Sequence, residues 1–86
     1  MKRLKYCVYV LKSQKDGKLY IGFTSNLHNR LTAHIRGEAK ATSFRRPFEL
    51  VYCEFYKAKS DALRRETYFK TTKGKRTLRL VLKNSL

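Results

Sequence analysis

Acidic residues are scarce in this chain. Six Asp plus Glu stand against 21 Lys plus Arg in 86 residues, a formal net charge of +15, and a balance that one-sided points to a polyanionic partner. Cysteine is nearly absent: Cys7 and Cys53 lie in separate apolar runs without the close spacing of a zinc pair, and they read as reduced core thiols of a cytoplasmic protein. Long apolar runs are missing too. No stretch approaches the length of a membrane span, and the basic residues are spread along the chain rather than massed on one amphipathic segment, so no membrane partner is expected. The start Met1-Lys2-Arg3-Leu4-Lys5 is basic like a signal peptide, but the apolar run behind it stops at Lys12 with no small-residue cleavage site, so secretion is not expected.

The length excludes two enclosed domains and predicts a single one, residues 1–86, burying little more than half of its unfolded surface. Hydrophobic residues at 42% and aromatics at 13% are enough for a core, which excludes a disordered basic tail.

Tyr6 to Leu11 and Leu19 to Phe23 are rich in β-branched and aromatic residues and flank Gln14-Lys15-Asp16-Gly17, which predicts a β-hairpin. If Asp16-Gly17 closes a two-residue loop, Lys15 pairs with Lys18, the pair sums are odd, and Tyr9 shares a face with Tyr20. Ser25 or Asn26 caps a helix running to about Arg36, with Gly37 as its left-handed stop. Leu27, Leu31 and Ile35 recur every fourth residue as its buried stripe, flanked by Arg30 and His34. A polar, basic loop from Glu38 to Pro47 leads to a third strand, Phe48 to Tyr56. Ser60 is read as the cap of a second helix, with Asp61 in its first turn. On that helix Ala62, Glu66 and Phe69 share a sector, so Glu66 should lie in an apolar face and meet an Arg, a tyrosine hydroxyl or a metal ion. The stretch after Gly74, with Leu78, Leu80 and Leu82, is predicted to be a short, mostly superficial last helix.

Tyr9, Tyr20, Arg30, His34 and Glu66 are the residues that could carry chemistry. Each alone has an ordinary structural reading: packing for the tyrosines, a solvated charge for Arg30, a hydrogen-bonded edge residue for His34, a buried salt bridge to Arg30 for Glu66. Together they make an order: Val8-Tyr9-Val10, then Tyr20-Ile21-Gly22-Phe23-Thr24, Asn29-Arg30-Leu31 with His34, Arg46-Pro47, and Arg65-Glu66. This order resembles the GIY-YIG nuclease superfamily over essentially the whole chain. The small single-domain bacterial members look most similar, and the amino-terminal nuclease domain of the bacterial excision-repair subunit is a more distant likeness. Cys7-Val8-Tyr9 stands in place of Gly-Ile-Tyr. Many active members carry an asparagine downstream of the glutamate, and the only later one in this chain is Asn84.

The resemblance implies an α+β domain with a central three-stranded antiparallel sheet flanked by helices, hydrolysing phosphodiester bonds with a single divalent ion, Mg²⁺ or Mn²⁺. By that likeness Glu66 matches the metal-binding glutamate, and Tyr9 and Tyr20 match the motif tyrosines, one of which helps deprotonate the attacking water. Arg30 matches the arginine near the scissile phosphate, and His34 an auxiliary position. Lys40 and Arg46 correspond to phosphate contacts, and Arg45, Lys73, Lys75 and Arg76 are further candidates for binding nucleic acid along the same cleft. The expected function is a metal-dependent endonuclease, acting on DNA in repair or processing, with RNA left open. The alternative is a nucleic-acid-binding module on the same fold that cleaves weakly or not at all. With 86 residues leaving no room for an attached targeting domain, the chain is expected to recognise nucleic-acid structure or to depend on a partner protein.

Overall fold

A computed structural model describes residues 4–40 and 42–86; Met1, Lys2 and Arg3 of the basic start lie outside the described residues. The elements are β1 (Tyr6–Ser13), β2 (Leu19–Thr24), α1 (Leu27–Arg36), a 3₁₀ turn (Ser43–Arg45), β3 (Phe48–Tyr56), α2 (Lys59–Phe69) and α3 (Thr72–Val81). The three strands form one antiparallel sheet in the order β2-β1-β3. The α+β architecture is the expected one.

Strand β1 is central, and Cys7 to Leu11 are all buried, as a near-continuous apolar run predicts for a strand covered on both faces. On one face Val8 and Val10 meet Ile21, Ala62 and Phe69 of α2, and Leu78 and Leu82 at the end of α3. On the other, Cys7, Tyr9 and Leu11 meet Leu27 and Leu31 of α1, with Tyr20, Phe48 and Cys53. Both cysteines are free, and burial, with Cys53 beside it, pushes the Cys7 thiol up to about 12, so it behaves as an inert core group.

The hairpin differs in its turn but not in its parity. Tyr9 pairs with Gly22 and Leu11 with Tyr20, and the loop is the four residues Gln14 to Gly17, closed by Ser13 N–H to Lys18 O at 2.9 Å. Ser13 Oγ accepts from the Lys15 and Asp16 amides inside it, which favours the wider loop. Two and four residues are both even, so Tyr9 and Tyr20 share a face as expected. Strand β3 carries a bulge that no sequence pattern announces: Val10 pairs with Tyr52 but Leu11 with Leu50, leaving Val51 extra. The slip of one residue turns Phe48 onto the Tyr9 face.

Helix α1 begins and ends as read, with Asn26 Oδ1 accepting from the Asn29 amide and Gly37 at φ 76°. Its inward stripe is corrected. His34 is 2% exposed and Ile35 is 74% exposed, because at 100° per residue Leu27, Leu31 and His34 stay within a narrow sector that Ile35 leaves. Helix α2 starts earlier than Ser60, with Ala58 as its cap residue and no side-chain cap. A clamp secures it: Glu54 on β3 accepts from Tyr52 at 2.6 Å, from Tyr56 at 2.7 Å and from Arg65 Nε at 2.7 Å. Burial alone would raise the Glu54 carboxyl, but the three donors hold it below its ordinary value.

Helix α3 is mostly exposed, as predicted, and is anchored at a few positions. Gly74 lies inside it, where a Cβ would run into the Tyr68 carbonyl, so only glycine lets the start of α3 rest on the end of α2. Leu78 and Leu82 are buried, while Leu80 is 72% exposed. Replacing Leu78 by Ala should cost about 2–5 kcal/mol from lost burial and a residual cavity, a large share of the stability of a domain this size. Urea unfolding of Leu78→Ala against Leu80→Ala, which should unfold near the wild-type midpoint, measures the difference.

Candidate active site

The Tyr9 face of the sheet, covered by α1, gathers four of the five chemistry-bearing residues. Tyr9 is wholly buried, and its ring occupies space that Gly22 leaves open: a Cβ on Gly22 would overlap the Tyr9 phenol. The tyrosine of one strand and the glycine of the next are therefore a single packing unit, directly paired across the hairpin.

The Tyr9 hydroxyl lies 2.9 Å from His34 Nε2 and accepts from Arg30 Nε at 3.3 Å. Arg30 and His34 reach one atom because they are four apart on α1. His34 Nδ1 is 2.7 Å from Thr42 Oγ1, and Thr42 donates to the Ala39 carbonyl at 3.3 Å. A hydroxyl has one proton, so with it on Ala39 the Thr42 oxygen accepts from Nδ1–H. This leaves Nε2 of the neutral ring to accept from Tyr9. The imidazole is held below its ordinary value by burial and by the Arg30 charge, which keeps it in that acceptor state.

Burial raises the Tyr9 hydroxyl above its ordinary value, against the hydrogen bond from Arg30 that lowers it; the nearby Tyr20 and the Glu66 charge raise it further. Tyr9 hydrogen bonding in turn raises the Arg30 guanidinium. Tyr20 stands edge-on to His34, ring centroids 5.3 Å apart, and 6.4 Å from the Tyr9 ring. Phe48, brought over by the bulge, packs edge-on to His34 at 6.3 Å.

Glu66, on α2, contributes through its charge at Tyr9, and neither expected protein partner meets it. Its Oε2 pairs with Lys70 Nζ at 3.3 Å, one turn on, and its side chain is 20% exposed. The reason is Arg65, whose guanidinium lies 4.2 Å from the Phe69 ring. The covered middle of α2 falls between Arg65 and Phe69, and Glu66 stands at its rim.

A metal cage is not what this arrangement offers: among the described residues no three His, Cys, Asp or Glu surround a common point. A Mg²⁺ ion, however, keeps several waters and binds through one or two carboxylates plus substrate phosphate oxygens. Glu66 fits that donor set, since Oε1 has no hydrogen-bond partner among the described residues while Lys70 takes Oε2.

The basic candidates stand in different surroundings. Arg46 turns back on its own loop, donating to the Ser43 carbonyl at 3.0 Å and the Ile35 carbonyl at 3.4 Å over Gly37. Arg45 is half-buried and paired with Asp16 at 3.5 Å, on a cavity it shares with Lys75. Lys40, Lys73 and Arg76 are exposed, and Asn84 follows α3 in an exposed turn. Thr42 was not legible as a site residue; its only signal is a small hydroxyl in a basic loop, yet it is wholly buried and fixes the proton on His34.

The profile of the GIY-YIG catalytic domain family matches residues 5–79. The chain belongs to the GIY-YIG family. It is 41% identical over 78 residues to a UPF0213 protein of Staphylococcus saprophyticus, covering 90% of this chain and 94% of that one. It is 45% identical over 75 residues to a UPF0213 protein of Staphylococcus aureus, covering 86% and 90%. The solution NMR structure of a UPF0213 protein from Bacillus halodurans is similar with a TM-score of 0.57 and 33% identity, over 88% of this chain and 83% of that one. A GIY-YIG domain is a nuclease fold, and the relatives' shared name states no activity. No helix among the described residues is long and apolar enough to cross a membrane.

Proposed function

We propose that the chain is a divalent-metal-dependent endonuclease that hydrolyses phosphodiester bonds in nucleic acid, DNA foremost, with Tyr9, Tyr20, Arg30, His34 and Glu66 as its working residues. The observation that carries this reading is the Tyr9 hydroxyl held between Arg30 Nε and His34 Nε2.

A buried phenol with its hydroxyl raised is a poor base by itself. The chain Thr42, His34, Tyr9 changes that. When Arg30 swings to the substrate phosphate and opens the Tyr9 oxygen to the attacking water, that water gives its proton to the Tyr9 oxygen while the Tyr9 proton passes to His34 Nε2, which is neutral and open to receive it. Tyr9 ends as it began, and the proton rests on the imidazole. Thr42 acts as a positioning residue by holding the tautomer. Arg30 faces the charge growing on the phosphoryl oxygens with a planar fork of donors. Glu66 would hold the divalent ion, which when bound supplies neutralisation of phosphoryl charge and stabilisation of the departing alkoxide.

Arg30→Lys tests this reading. The charge stays but the fork is lost, together with the bond to Tyr9, so plasmid nicking in Mg²⁺ should fall at least tenfold with the melting temperature little changed. Wild-type nicking by Arg30→Lys would mean that Arg30 is only a solvated helix charge.

A further inference from the structure

Where the hairpin end, the 3₁₀ turn and α3 meet, a cavity of about 240 Å³ is lined by Lys18, Leu19, Arg45, Lys75 and Arg79. Four of the five are cationic and none is acidic. They come from three separated segments, and the backbone sets each one. Lys18 is fixed by its amide on Asp16 Oδ1 at 2.9 Å and its carbonyl on the Ser13 amide at 2.9 Å. Arg45 is fixed by its carbonyl accepting from Ser13 Oγ at 2.7 Å. Lys75 and Arg79 are one helical turn apart on α3 and so project together.

Arg45 makes this more than a basic surface. Its Nε and Nη2 are buried and have no hydrogen-bond partner among the described residues. Asp16 Oδ2 stands 3.5 Å from Nε, close enough for attraction but without hydrogen-bond geometry. With Nε and Nη2 seated in the protein the guanidinium is held in place, and crowding four like charges around one space is costly. A single ligand relieves that crowding: a tetrahedral oxyanion with several acceptor oxygens, which the lysines meet as point charges and Arg45 through the edge of its guanidinium that is not buried.

We infer that this cavity is a phosphate-binding site, and that in the complex with nucleic acid it takes a backbone phosphate other than the scissile one. The second half of the inference rests on the nuclease reading above. Lys18 and Leu19 open β2, the edge strand that carries Tyr20, so a nucleic-acid strand that follows this edge of the sheet passes both the cavity and the catalytic cluster. The contact positions the strand without reading its sequence.

Two measurements test it, both in chelator so that binding is read without turnover. In the first, inorganic phosphate is titrated into ¹⁵N-labelled protein and the arginine Nε–H resonances are followed. The Arg45 signal should shift and saturate, and Lys75→Ala/Arg79→Ala should weaken phosphate at least tenfold. In the second, a labelled duplex is titrated across several salt concentrations. The double variant should bind more weakly, with the slope of log affinity against log salt smaller by about one to two units.

An unmoved Arg45 resonance overturns the site. Phosphate binding with identical duplex titrations for wild type and double variant overturns the backbone assignment and leaves a free-anion site. Poly-glutamate shifting Arg45 more strongly than duplex would reassign the cavity to an acidic protein. The wild-type titration decides the first point even if the double variant folds poorly. Failure of the nuclease reading appears separately, as absent cleavage in Mg²⁺ with these binding results intact.

Discussion

Glu66→Ala should abolish metal-dependent cleavage while nucleic-acid binding stays the same or becomes slightly tighter. The carboxylate is the proposed metal ligand, and its charge is felt at Tyr9, so its removal takes away the ion and one negative charge from the phosphate side. Stability should change little. The ion pair with Lys70 is an exposed helical pair, 3.3 Å long with the lysine 55% exposed, and such pairs contribute about 0.3–0.5 kcal/mol. The alternative of a structural salt bridge makes the opposite forecast, a marked fall in melting temperature with cleavage reduced only in proportion to unfolding. Single-turnover cleavage and thermal melts on the same preparation separate the two. Cleavage by Glu66→Ala at the wild-type rate would remove it from the site.

Tyr9→Phe should fold normally and lose roughly a hundredfold or more in rate, the scale of a lost general base. The ring stays, so the packing against Gly22 and the edge contact with His34 at 5.7 Å survive; only the relay is cut. The pH profile carries the stronger test. His34 must be neutral to accept the Tyr9 proton, and burial and Arg30 hold it below its ordinary value of 6.5. As pH falls, the wild-type rate should therefore drop with a midpoint below 6.5. In Tyr9→Phe the residual rate should lack that acid limb, since no proton reaches Nε2. An acid limb of the same midpoint in both proteins would detach His34 from the relay.

Much of this architecture was legible in the residues. The central strand showed itself as an unbroken apolar run, and the α1 ends as Asn26 and Gly37. The shared face of Tyr9 and Tyr20 needed only an even loop, so it survived an error in loop length. What stayed hidden depended on contacts between distant segments. The bulge at Val51 that swings Phe48 onto His34 leaves no local pattern, because β3 reads as apolar either way. His34 displaced Ile35 from the inner stripe because a histidine with partners on both nitrogens, Tyr9 and Thr42, can be buried where hydropathy would place the isoleucine. Lys70 reached Glu66 first because it is one turn away on the same helix, whereas Arg30 is committed to Tyr9. Which of Leu78, Leu80 and Leu82 point inward was not legible amid basic neighbours; the close approach at Gly74 helps bring the Leu78 and Leu82 side of α3 onto the sheet.

In the proposed mechanism the buried tyrosine relay and Glu66 together make a metal-dependent phosphodiesterase. Its most direct test is incubation of the purified protein with plasmid, branched and single-stranded DNA and with RNA, in Mg²⁺ or Mn²⁺ and in chelator. Cleavage of at least one substrate with either ion, and none in chelator, is the expected result. No cleavage of any substrate with either ion, or cleavage that persists undiminished in chelator, would contradict it.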